Sequence, residues 1–205
     1  MIRRRNSAAA ALLLLAMIQP IQGFAGPYED GDLAFRKKSY EAAFRHWLPA
    51  ASAGHGGAQL GMATLYYSGL GVVLDYGEAF EWCTKAADHG LPQAQYMLAA
   101  MYRDGKGVEQ DQVKALALFR QAASHDVPGA FYSMGLMYFT GQGVAVDYDE
   151  AYYWLSLVAS VTDKEYAQLR STAAYLRDQA AEKLNAQQIA TVKRRIAERK
   201  MAAAY

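Results

Sequence analysis

Apolar residues recur along this chain at three- and four-residue spacing, in short blocks punctuated by glycine. In residues 57–68, GAQLGMATLYYS, Ala58, Met62, Leu65 and Tyr66 share one face of a 3.6-residue period, which predicts an amphipathic helix. Gly69 ends it, because glycine enters the left-handed conformation of a helix C-cap without a Cβ clash. Gly71 and Val72 turn the chain. Asp75, with Glu78 three residues later, stands in capping-box register for a second helix. That helix is expected over about 76–88, with Ala79, Trp82, Cys83, Ala86 and Ala87 on one face and Gly90 beyond its end. Pro92 and Pro128 open the blocks that follow, where proline suits the first turn of a helix.

The block recurs every 36 residues without a gap. Ala58 falls on Ala94 and Ala130, Tyr66 on Tyr102 and Tyr138, and Asp75 on Asp111 and Asp147. Gly69/Gly71 fall on Gly105/Gly107 and Gly141/Gly143, each pair followed by valine at 72, 108 and 144. Ala79, Ala115 and Ala151 coincide, as do Ala87, Ala123 and Ala159; Trp82 matches Leu118 and Trp154. Asp147 keeps its acidic partner Glu150, whereas Asp111 has Lys114. Ala43, Phe44, Ala50, Ala51 and Gly54 precede Ala79, Phe80, Ala86, Ala87 and Gly90 by the same step. A degenerate first unit therefore begins near Tyr28, with RKKSYEAAF as a shortened turn. Four units result: 28–55, 56–91, 92–127 and 128–160. One helix pair cannot cover its own apolar face, so neighbouring pairs must complete the core.

The period also disposes of a nucleotide-binding reading of Gly-x-Gly. A phosphate loop occurs once per site, after a strand. Here the motif comes three times at fixed spacing with no strand signal before it, so it is a turn. Beyond Ser160 the repeat fades. Tyr166, Leu169, Ala173, Leu176 and Ala180 form one further stripe. Ile189, Val192 and Ile196 form another, behind an Asn185–Gln188 capping box. Residues 161–203 read as two helices capping the open end of the stack. Lys193, Arg194, Arg195, Arg199 and Lys200 are expected on a solvated helix face.

The first 25 residues have a separate logic. Arg3, Arg4 and Arg5 precede an apolar run of 11 residues from Ala8 to Ile18, then Gly23 and Ala25. This is the layout of a secretory signal peptide with cleavage after Ala25; the run is too short to cross a bilayer. The expected location is periplasmic or secreted, with no membrane span after cleavage. Removal of residues 1–25 leaves 18 basic against 20 acidic groups, a net charge of −2, which offers no field for nucleic acid. Cys83 is the only cysteine, so no disulfide forms within the chain.

The repeated pattern resembles the Sel-one-like repeat family, relatives of the tetratricopeptide repeat, over about residues 28–160. The 161–203 tail looks like the two-helix end common in exported bacterial members. The chain departs from the family where unit one lacks Gly-x-Gly-Val, and where Leu118 and Asp126 replace the usual Trp and Gly. The resemblance implies an all-α, right-handed α-solenoid with a concave groove, lined by the first helix of each unit and used to hold other proteins. The positions that the framework leaves free on those helices are Gly61, Thr64 and Tyr67; Met97, Ala100 and Arg103; Ser133, Leu136 and Phe139. Tyr67, Met97, Arg103, Leu136 and Phe139 are the expected groove surface, of residue types enriched at binding hot spots.

The chemistry of a catalyst is missing. No His-Glu-x-x-His, Gly-x-Ser-x-Gly, Cys-x-x-Cys or phosphate loop is present. His89 and His125 hold equivalent places at helix ends, and the acid pairs sit at helix starts, where they favour the dipole. No cofactor, metal or catalytic residue is expected. The expected function is a non-catalytic scaffold that binds a protein partner of the cell envelope or of signalling. The alternative is an envelope hydrolase acting on cell-wall or β-lactam substrates, as proposed for some cysteine-rich relatives.

Overall fold

Ten α-helices and one 3₁₀ turn follow one another in a computed structural model that describes residues 26–202. The expected signal peptide, residues 1–25, lies outside the described residues. Unit one is α1 (Pro27–Arg36) and α2 (Tyr40–Ser52); unit two is α3 (Gly56–Ser68) and α4 (Tyr76–Asp88). Unit three is α5 (Pro92–Asp104) and α6 (Gln112–Ser124), and unit four is α7 (Pro128–Thr140) and α8 (Tyr148–Ala159). The 3₁₀ turn Lys164–Tyr166 leads into α9 (Ala167–Ala181) and then α10 (Ala186–Ala202). From α1 to α9 each helix packs against the next, and α9 and α10 both lie on α8. No strand occurs among the described residues. The architecture is an α-solenoid.

The two glycines of each Gly-x-Gly have different jobs. Gly69, Gly105 and Gly141 are left-handed C-caps at φ 63°, 66° and 75°. The next amide folds back to the last turn, Leu70 to Leu65 at 3.0 Å and Lys106 to Met101 at 3.0 Å, which satisfies carbonyls that the helix end leaves free. The second glycine serves the stacking of units. A Cβ on Gly71 would come within 2.6 Å of the Glu41 nitrogen, and one on Gly143 within 2.6 Å of the Gln112 carbonyl oxygen. Each second glycine therefore sits on the start of the second helix of the preceding unit.

The capping expected at Asp75 and Asp147 is only half formed. The Asp75 carboxylate accepts from Gly77 and Glu78 amides at 2.8 and 3.1 Å, and Asp147 accepts from Glu150 at 3.0 Å. The return contact from the glutamate is missing because the Asp75, Asp111 and Asp147 amides already donate to the Tyr66, Tyr102 and Tyr138 carbonyls, at 3.1, 2.9 and 3.0 Å. Glu78 and Glu150 turn instead to the indole N–H of Trp82 and Trp154, at 3.1 and 2.9 Å. The capping box at Asn185 and Gln188 is complete in both directions, at 3.0 and 2.9 Å.

The core runs along the stack between first and second helices. Ala58, Met62, Leu65, Ala79, Cys83 and Ala86 are buried in unit two, as the stripes predict. Full burial of Met62 or Leu65 contributes roughly 1.5–3 kcal/mol each. Trp82 and Trp154 are only half-buried. The enclosed position is the next one along, held by Trp47, Cys83, Phe119 and Leu155. Its residue type changes at every step, so repeated identity does not mark it. Small neighbours adjust to it: Gly31 and Gly61 lie against the Trp47 ring, and Gly135 against Leu155.

The terminal helices cover the end of unit four. Ala173, Ala180 and Val192 are buried, and Leu169, Leu176, Ile189 and Ile196 pack against the same cluster. The basic stretch of α10 is not solvated throughout. Lys193, Arg194 and Lys200 are exposed, but Arg195 pairs with Glu150 at 2.7 Å and Arg199 with Asp126 at 2.7 Å. Arg199 also donates to the Ala123 carbonyl at 3.0 Å, and its guanidinium lies over the Phe131 ring.

Candidate functional site

Tyr67, Met97 and Arg103 come together on one open cavity of about 450 Å³ between α3 and α5. The period places Tyr67 and Arg103 there, at one position of successive units. Leu60, Thr64 and Tyr67 follow one stripe along α3, and Gln93, Tyr96, Ala100 and Arg103 follow one along α5, all lining the cavity. A second cavity of about 370 Å³ opens between α1 and α3, against Tyr28, Asp32, Phe35, Arg36 and Trp47. Leu60 and Thr64 line both, so the two depressions flank a single helix.

Leu136 and Phe139 lie one unit further on, along α7, and line neither cavity. Both are half-buried. Phe139 packs edge-on against Tyr148, with ring centroids 5.6 Å apart, as Tyr67 packs against Tyr76 at 5.3 Å. Gly61 and Ser133, two of the positions that the framework leaves free in type, are buried. Missed by that reading were Leu60, Tyr96 and Gln93, and the whole of the unit-one wall. Extending the Thr64–Tyr67 and Ala100–Arg103 stripes one turn toward the helix start recovers Leu60 and Tyr96, and a second turn on α5 recovers Gln93.

The rim of the α3–α5 cavity is basic and aromatic. Arg103 is bound side-on by Asp104, Nε to Oδ1 at 2.7 Å and Nη2 to Oδ2 at 3.0 Å. That hydrogen bond is the main reason the Asp104 carboxyl titrates below, and the Arg103 guanidinium above, its usual range. Lys106, in the turn after α5, donates to the Tyr67 hydroxyl at 2.8 Å and lies over the Tyr67 and Tyr76 rings at 4.6 and 5.1 Å. The bond to Tyr67 holds the ammonium pKa above its ordinary value. Away from this cavity, Arg170 braces the linker into α9 by donating to the Val161 and Asp163 carbonyls at 2.9 and 2.7 Å.

No group of three or more His, Cys, Asp or Glu among the described residues is placed to hold a metal ion. His55 is an N-cap, accepting from the Ala58 amide at 3.1 Å through Nδ1, and His89 and His125 are C-caps. The Cys83 thiol is buried, with its pKa pushed up to about 12 by desolvation. None of the described helices is long and apolar enough to cross a membrane.

The Sel1 repeat family model matches residues 23–55, 57–91, 92–127 and 130–160. Among solved structures, the chain is similar to a Sel1 repeat protein from Oxalobacter formigenes, with 28% identity, a TM-score of 0.60, and 77% of this chain matched to 71% of that one. It is also similar to a protective antigen of uropathogenic Escherichia coli strains that displays an SLR fold, with 27% identity and a TM-score of 0.63. That match takes in 88% of this chain but only 41% of the longer Escherichia coli protein. No curated protein matches the chain.

Proposed function

Because the chain belongs to the Sel1 repeat family, whose members are generally protein-interaction scaffolds, we propose that it is an exported, non-catalytic adaptor holding a protein partner along its groove. The partner's setting is cell-envelope assembly or signalling, and the protein's location is periplasmic or secreted. The observation that supports this reading is the convergence of Tyr67, Met97 and Arg103 on one open cavity. Tyrosine, methionine and arginine are favoured at interface cores because each supplies a large contact area with a directed polar or polarisable group. The export element rests on the signal-like layout of residues 1–25. Leu136 and Phe139 extend the surface onto unit four. No arrangement among the described residues favours hydrolysis.

The test is capture from an envelope extract with the wild-type chain and with a groove variant. Thr64→Arg places a long side chain between the two cavities without touching the buried stripe. A genuine groove partner is retained by wild type and lost by the variant. Replacing Tyr67 and Arg103 together by Ala should weaken the captured complex by more than about 2 kcal/mol, the usual hot-spot threshold. Equal retention by all three proteins would place the partner elsewhere.

A further inference from the structure

The two cavities flank one helix, and their spacing restricts what fits across them. A helix with its side chains is about 10–12 Å wide, so points on the two flanks of α3 are about 10 Å apart. Three residues of extended chain span about that distance. In a flat strand, residues three apart point to opposite faces. In a polyproline-type conformation, with three residues per turn and about 3.1 Å per residue, they point the same way.

The charges of the two cavities differ. Between α1 and α3, Asp32 and Arg36 offset one another. At the α3–α5 rim, Arg103 and Lys106 face one acid, Asp104, whose two oxygens are both engaged by Arg103. Lys106 spends one N–H on the Tyr67 hydroxyl, and an ammonium has three, so donors remain for a carboxylate.

From this juxtaposition of two cavities about one helix and a basic rim on only one of them, we propose that the groove takes an extended segment of polypeptide. It seats two bulky side chains three residues apart, one on each flank of α3, with an acidic residue beside the second, against Lys106. This deepens the groove reading above and rests on it.

Selection of random dodecapeptides displayed on phage against the whole chain tests the proposal. The enriched sequences should carry two bulky apolar or aromatic residues at i and i+3, with Asp or Glu within two residues of the second. A synthetic peptide of that set should bind Lys106→Glu about tenfold more weakly, through loss of charge complementarity. Changing the peptide's acid to Lys should restore its binding to that variant. Lys193→Glu on α10 should bind as wild type, and circular dichroism should show both variants folded. An i, i+7 spacing, as a bound helix would give, overturns the proposal, as does indifference to Lys106 or the absence of enrichment. If peptides without the predicted pattern bind and Thr64→Arg abolishes their binding, this proposal falls and the groove reading stands. If Thr64→Arg has no effect, the groove reading falls with it.

Discussion

Gly90 and Gly107 share nearly the same left-handed backbone, at φ +75° and +72°, but not the same surroundings. A Cβ on Gly90 would meet nothing within 4 Å, whereas one on Gly107 would overlap the Tyr76 carbonyl of the preceding unit. Gly90→Ala should cost only the left-handed penalty, about 1–2 kcal/mol. Gly107→Ala adds a backbone collision between units and should cost at least about twice as much, seen as the larger fall in thermal midpoint. Equal losses would mean that the turn, and not the stacking contact, selects the second glycine. Cys83 makes a prediction in pH. Its folded pKa, about 12, lies above the roughly 8.5 of an unfolded thiol. The folded state therefore holds the proton more tightly, and this contribution is full below about pH 8.5 and is lost as pH rises toward 12. Between pH 9 and 11 the wild type should lose up to about 1.4 kcal/mol per pH unit relative to Cys83→Ala. Denaturant midpoints across that range measure it, and a constant gap between the proteins would mean that the thiolate forms in the folded state.

At the scale of elements, the attachment of α10 decides how unit four ends. Asp126 stands where Gly54 and Gly90 stand in earlier units, and takes the same left-handed region at φ +57° with a side chain present. The strain of that conformation is about 1–2 kcal/mol. Against it stands an ion pair with Arg199 that is largely exposed on the aspartate side, at 67%, and so worth at most about 1 kcal/mol. Asp126→Gly should accordingly be near neutral or slightly stabilising. Arg199→Ala should cost more, because it also removes the donor to the Ala123 carbonyl and the cover over Phe131. Thermal melts of the two variants decide it; a larger loss for Asp126→Gly would show the ion pair to be the dominant clasp. These elements also show what can be read in the sequence. Helix positions, C-caps and the capping terminal helices were legible because each follows from local spacing or from glycine's backbone freedom. The ion pairs of Arg195 and Arg199, 45 and 73 residues from their partners, carry no local signal. Nor does the burial of Cys83 over Trp82, since both lie on the same side of the stripe and only packing separates them.

The whole molecule is a one-dimensional stack, and this governs both its groove and its stability. Tyr67 and Arg103 meet because they hold one position in successive units, which the period makes legible, although Phe139, at the same position of unit four, lines neither cavity. The cavity of unit one was not legible, because its wall of Tyr28 and Phe35 lies in α1 of the degenerate unit, which the repeated identities do not register. In such a stack stability is close to a sum of unit and nearest-neighbour terms, and an uncapped end exposes a face built to be covered. The cap contributes unequally through its two helices. α9 packs on both α7 and α8, burying Ala173 and Ala180, whereas α10 buries one side chain fully, Val192, rests Ile189 and Ile196 partly buried on the same cluster, and holds on at its edge through Gln188, Arg195 and Arg199. A chain ending at Leu184 should stay monomeric and lose a few kcal/mol, on the order of one buried aliphatic side chain plus its edge contacts. That is a fall in thermal midpoint of about 5–10 °C, at roughly 2–4 °C per kcal/mol for a chain of this size. A chain ending at Ser160 uncovers the outer face of unit four, including Leu157 and Val158, which are buried in the full chain. It should melt lower still and self-associate through that face. Thermal melts with light scattering on the two truncations give the answer: if they melt together and both remain monomeric, α9 is not the cap, and unit four is stable with its end uncovered.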